Sequence, residues 1–341
     1  MHRHALPTRA LAAAAGLSLA VVAPAIAVAH SGHAKKKPAP RTQKVDIAFG
    51  AVAGTQPVAC GTPIAGLGTT NQAAQLRDLR FFVSDVRLVK ASGFEVPVKL
   101  TPSAFQVTRR GGAVTLIDLE NGTGACAEDG NAALNPSVRG TVPAGRYTGV
   151  RWTVGVPFAL NHTDVAAAPA PLNSTAMGWS WQVGRKFTKI EVTDPAGGGA
   201  AAAAMHMRQH GGMPAAPGAP AAPAAPGAWQ AGTFFVHLGS VGCSGNPATG
   251  QTVRCTTPNR AHVRLGSFNP ARQRVAVDVK ALLAGNDITV NRANAPGCMS
   301  GPKDPECGGV FRSLGVSWKA DGTGTGASPA ARQTVFRAIG R

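Results

Sequence analysis

The chain has 341 residues, a formal charge of +18, six cysteines, 42 glycines and 26 prolines. Its one tyrosine and twelve phenylalanines do not interleave with the scattered arginines, which argues against a base-stacking nucleic-acid platform. The glycine and proline content favours strands joined by turns over long helices.

Arg3 and Arg9 flank the start of an apolar run over residues 10–28, and Ala27-Val28-Ala29 satisfies the small-x-small cleavage rule. Residues 1–29 therefore read as a signal peptide, with a mature chain beginning at His30 and a periplasmic or secreted location. A retained anchor is the alternative, but the run is short and no second apolar stretch of spanning length follows. Residues 30–43 (HSGHAKKKPAPRTQ) form a flexible basic leader. A free amine on His30 beside His33 could chelate Cu(II), although a plain disordered tail is the preferred reading.

Residues 44–337 read as one β domain. Strand-like runs open at residues 45–49. Residues 79–89 are strand-like without a clean one-face pattern, since Phe81, Val83 and Asp85 alternate with Phe82, Ser84 and Val86. Val150, Trp152 and Val154 share a face. Val275, Val277 and Val279 alternate with Ala276 and Asp278 as a half-buried strand. Short strands separated by Gly, Pro and Asn turns predict a mostly β fold, an antiparallel sandwich or barrel-like single domain.

Residues 195–228 are almost wholly Ala, Gly and Pro and cannot build a packed core. They are expected to loop out between two strands of the domain; an interdomain linker is the alternative. Thioether and imidazole donors together suit Cu(I). Met205, His206, Met207, His210 and Met213 are thus a candidate secondary copper site, weighed equally against a low-complexity insert that merely contains Met and His.

Cys60, Cys126, Cys243, Cys255, Cys298 and Cys307 all follow the signal segment, and an even count in an exported chain predicts disulfides. Cys243/Cys255 and Cys298/Cys307 are close enough in sequence to staple loops, leaving Cys60/Cys126, one of many connectivities that six cysteines allow. The absence of C-x-x-C excludes zinc ribbons and thioredoxin-like redox sites, and the absence of C-x-x-C-H excludes covalent c-type haem.

Neutral imidazole is the commonest metal ligand where cysteine is spent on disulfides, so His162 and His237 are candidate ligands. The plain alternative for each is a hydrogen-bonded structural histidine. Trp179 and Trp181 would share a face of a strand, where core packing is the simplest role. No H-E-x-x-H, no G-x-S-x-G and no outstanding carboxylate pair occurs, so no enzyme class is indicated.

A set of segments occurs in a fixed order along residues 44–337. Cys60-Gly61 and Gly66-Leu67-Gly68 are followed by DLRFFVSDV from Asp78, Leu116-Ile117-Asp118, Gly155-Val156-Pro157-Phe158 and Leu160-Asn161-His162. Then come Pro171-Leu172-Asn173, Met177-Gly178-Trp179-Ser180-Trp181-Gln182, Phe187, and His237-Leu238-Gly239-Ser240 with Cys243. Cys255 with Pro258-Asn259-Arg260, and Cys298-Met299-Ser300 with Cys307, complete the set. In these segments the chain resembles the MbnP-like proteins, the four-Cys partners of a metallo-mystery pair.

The resemblance implies an exported, mainly β, copper-binding protein encoded with a di-haem cytochrome c peroxidase-like (MbnH-like) partner. It implies that the partner oxidises a tryptophan to kynurenine and that copper binding depends on the change. By position, His162 and His237 match the family's two motif histidines. Trp181 is the favoured modified residue and Trp179 the other candidate. The chain would then be the substrate of a haem enzyme and not itself an enzyme. Arg185, where an aromatic is common, and the Met/His-containing insertion depart from the family pattern. The competing readings are a metal-free structural or adhesive β-sandwich module and a copper-dependent oxidative enzyme.

Overall fold

The computed structural model describes residues 41–179, 184–196, 229–245, 254–292, 295–328 and 333–341, which belong to the unit Pro40–Arg341. Residues 1–40, Trp181, and the island Met205, His206, Met207, His210 and Met213 lie outside the described residues. Among the described residues no helix is long and apolar enough to cross a membrane.

The main strands are β1 Thr42–Ala53, β2 Gln72–Val89, β3 Gly112–Asp118, β4 Ser137–Pro143, β5 Gly149–Val154, β6 Thr188–Thr193, β7 Thr233–Leu238, β8 Ala261–Leu265, β9 Gln273–Asp278 and β10 Phe336–Gly340. One sheet runs β10-β9-β1-β4, with β1 parallel to β9. The other runs β8-β5-β2-β6-β7, with β3 also paired to β2, all antiparallel. The protein is thus mostly β, a single sandwich of largely antiparallel sheets.

β1 shows how sequence becomes layer. Val45, Ile47 and Phe49 are buried while the residues between them are exposed or half-buried, the period-2 pattern of a strand with one face on the core. The buried face meets the other sheet through aromatics. Phe49 lies edge-on to Phe81 and Trp152, with ring centroids 5.7 and 5.6 Å away. Phe336 packs on Trp152 and Phe81 at 5.5 and 5.8 Å. These T-shaped and tilted contacts add to the area the rings bury.

β2 lacks clean alternation because it lies inside the larger sheet and is covered on both faces. β6 and β7 are buried at every position. They are antiparallel neighbours flanking the Ala/Gly/Pro-rich stretch. One expectation needs correction: Val279 does not extend the strand containing Val275 and Val277. Asp278 accepts a hydrogen bond from the Ala281 amide and caps the helix Val279–Leu283. Ala276 and Asp278 are buried as well, so β9 is covered on both faces and not half-buried.

The cysteines pair as Cys60–Cys126, Cys243–Cys255 and Cys298–Cys307.

Candidate metal centre

His162 follows a single helical turn, Phe158–Asn161. A short turn has orphan carbonyls at its end that need donors, and here a buried arginine supplies them. Arg185 Nη1 donates to the carbonyls of Leu160, Asn161 and Thr163 at 2.8, 2.6 and 3.1 Å, and Nε donates to Leu172 at 2.8 Å. The backbone N–H of Arg185 donates to Asn161 Oδ1 at 3.0 Å. That bond fixes the Asn161 amide so that its Nδ2 lies 3.1 Å from His162 Nε2. Burial pushes the Arg185 guanidinium down to about 10, against the pull of Asp164. An aromatic at this position could not bridge four carbonyls. The departure noted in the sequence therefore has a structural role that sequence reading missed.

The His162 ring lies 5.0 Å from the Phe158 ring, and its Nε2 is 3.3 Å from Cys255 Sγ and 4.0 Å from Cys243 Sγ. Gly184 passes over it closely: a Cβ there would sit 3.0 Å from Asn161 Nδ2 and 3.4 Å from the imidazole. Gly184 is the cross-strand partner of Trp179 in the ribbon formed by Gly178–Trp179 and Gly184–Arg185. Trp179 is buried, and the Cε3–Cζ3 edge of its six-membered ring lies against Gly239, where a Cβ would come within 2.2 Å of Cζ3. Gly239 is two residues beyond His237. A continuous chain of contacts thus runs from His162 through Gly184, Trp179 and Gly239 to the strand that carries His237.

The His237 segment is held from outside the sheet. Ser300 Oγ donates to the His237 carbonyl at 2.9 Å and accepts from the Gly239 N–H at 2.8 Å, while Asn259 Nδ2 donates to the Gly239 carbonyl at 2.8 Å. Ser300 and Asn259 both adopt positive φ, 63° and 50°, a region non-glycine residues seldom occupy. Both stand in the motif segments quoted above, but nothing in their spacing signals this cradle.

His237 Nε2 is 2.7 Å from Glu191 Oε1, and both side chains are buried. Burial pushes the imidazole down to about 4, reinforced by Lys186 and opposed by Glu191. Burial alone would raise Glu191, but Lys189, His237 and Arg77 outweigh it and hold the carboxylate well below its usual range. The pair is therefore a neutral imidazole donating from Nε2 to a carboxylate, which leaves Nδ1 as the basic nitrogen. Metal-binding histidines are commonly oriented in this way, by a carboxylate behind the ligand ring.

His162, Cys243 and Cys255 bring three potential donor atoms within 4.8 Å of one another, as do Cys60, Glu120 and Cys126, and Cys298, Asp304 and Cys307. In each group the sulfurs are spent in a disulfide, and metals take thiolates. In the oxidised protein the first group is therefore left with the His162 imidazole, and the other two with the carboxylates of Glu120 and Asp304.

A family model described as MbnP matches residues 42–300. Among solved structures, MbnP from Methylosinus trichosporium is similar, with 33% sequence identity and a TM-score of 0.69, over 88% of this chain and 99% of that one. A search of curated proteins finds no match.

Proposed function

Because the chain belongs to the MbnP family, we propose that it is an exported copper-binding protein whose site contains His162 and His237. We further propose that the site matures when a di-haem cytochrome c peroxidase-like partner oxidises Trp181, or else Trp179, to kynurenine. Ring opening gives the side chain a ketone and an aryl amine, so an apolar residue gains potential ligand atoms. The protein acts here as the substrate of a haem enzyme and as a metal carrier, without turnover of its own.

The observation that carries the metal reading is the buried carboxylate behind His237. A histidine serving only as filler needs no charged partner, and burying one is costly. Glu191 holds the ring in one tautomer with Nδ1 basic. On the other side, Arg185 and Asn161 fix the segment bearing His162. When bound, copper supplies a soft, redox-active centre for which imidazole is a suitable ligand. The chain's residues supply orientation, a neutral donor set and exclusion of water.

The test is a competition titration of Cu(I) against a chelator, using protein matured with its haem partner. His162→Ala and His237→Ala should each weaken binding at least tenfold while keeping the fold by circular dichroism. Retention of wild-type affinity by both variants would remove the two histidines from the site.

A further inference from the structure

The two-stranded ribbon of Val241–Ser244 and Arg254–Thr257 sets Cys243 directly opposite Cys255. Their disulfide sulfurs lie beside His162 Nε2, at 4.0 and 3.3 Å. Two features separate this corner from the other two disulfides. Its third potential donor is an imidazole, whereas the others have Glu120 and Asp304. Cys243 and Cys255 are both half-buried, whereas Cys298 and Cys307 are buried and the remaining bridge joins half-buried Cys60 to buried Cys126. Thiol–disulfide exchange needs access to a sulfur, and among the three bridges Cys243–Cys255 is the one with both cysteines partly exposed.

We infer that this corner is a second metal site, opened by reduction: with the disulfide cleaved, Cys243, Cys255 and His162 form a two-thiolate, one-imidazole set for a soft or borderline ion such as Cu(I) or Zn(II). In the opening step a dithiol attacks one sulfur, breaks the S–S bond and forms a mixed disulfide; its second thiol then displaces the cysteine. Two electrons and two protons pass from the dithiol to the protein, and the reductant leaves as a cyclic disulfide. Metal binding then displaces the two thiol protons. Sulfur and imidazole ligands of this kind select Cu(I) and Zn(II) over hard cations. The site shares His162 with the copper reading but needs neither His237 nor kynurenine.

The probe is Cd(II), whose thiolate complexes absorb in the near ultraviolet. The full chain would be treated with limiting dithiothreitol, freed of reductant and titrated with Cd(II), and differential alkylation would identify which cysteines had opened. The expected result is one cadmium–thiolate band per reduced chain, with Cys243 and Cys255 the alkylated pair. His162→Gln should weaken cadmium binding at least tenfold. His237→Ala should leave the band unchanged even if it abolishes copper binding, which keeps failure here distinct from failure of the copper reading. Alkylating the reduced wild-type chain before adding Cd(II) should remove the band without any substitution. The inference is overturned by absence of the band, by equal affinity in His162→Gln, or by opening of Cys60–Cys126 or Cys298–Cys307 ahead of Cys243–Cys255.

Discussion

The strands β2, β6 and β7 have two buried faces of opposite chemistry. On the inner face Leu79, Ile190 and Val236 lie in register, with Phe81 and Leu238 one pair along, all facing the aromatic core. On the outer face Asp118, Arg80, Lys189 and His237 form one cross-strand row, with Asp78 opposite Glu191 beside it. Lys189 Nζ lies 2.7 Å from Asp78, 3.1 Å from Asp129 and 3.4 Å from Glu191. Arg80 also bonds Asp78, and Arg77 Nε lies 3.2 Å from Glu191. The inner face is stabilised by area removed from water, to which every residue contributes in any order. The outer face is acceptable only while each charge keeps its partners. That requirement orients His237, since the carboxylate that completes the row also fixes the imidazole.

The contrast can be broken most forcefully at Phe81 and Lys189. Phe81→Ala opens a cavity and should cost about 3–5 kcal/mol in urea denaturation. Lys189→Met leaves the buried carboxylates of Asp78 and Glu191 one cation short and should cost about as much. Adding Asp78→Asn should recover part of the second loss, because it removes one excess negative charge. No polar substitution can do the same for the first. Equal, unrecoverable losses on both faces would mean that the outer row is packing alone.

Arg185→Met should cost about 3 kcal/mol, because four carbonyls lose a charged donor. It should also lower copper affinity more than tenfold by releasing the His162 segment. Arg185→Lys should not rescue it, since an ammonium lacks the planar fork. Gly239→Ala drives a methyl into the Trp179 ring and should cost about 1–3 kcal/mol, with a visible change in near-ultraviolet circular dichroism. The smallest effect is a pH slope. Burial pushes Asp118 up to about 7, so between roughly pH 4 and 7 the native state binds more protons than the unfolded chain, and stability falls as pH rises. Asp118→Asn should remove most of that fall, seen as a smaller Tm difference between about pH 5 and about pH 8.

Much of the inner face was legible in the sequence. Val45, Ile47 and Phe49 alternate, and Val150, Trp152 and Val154 are buried as their spacing suggests. The outer face was not, for a physical reason. Nothing in the local sequence marks Lys189 and Glu191 as buried, and their partner Asp78 is 111 residues from Lys189. Strand register joins them, and composition carries no register. His162 and His237 stood out as motif histidines. Glu191 behind His237 and Arg185 beneath His162 did not, because each works through the backbone or across strands. Val279 was misread because a β-branched residue continues an alternating pattern equally well as strand or as the first residue of a capped helix.

The most direct measurement is peptide mass spectrometry, with copper analysis, on protein co-expressed with the di-haem partner and on protein expressed without it. The expected result is a peptide carrying residue 181, or residue 179, at the mass of kynurenine, with bound copper, only when the partner is present. Unmodified tryptophans and no copper alongside an active partner would contradict the copper-site reading and leave the indoles as core.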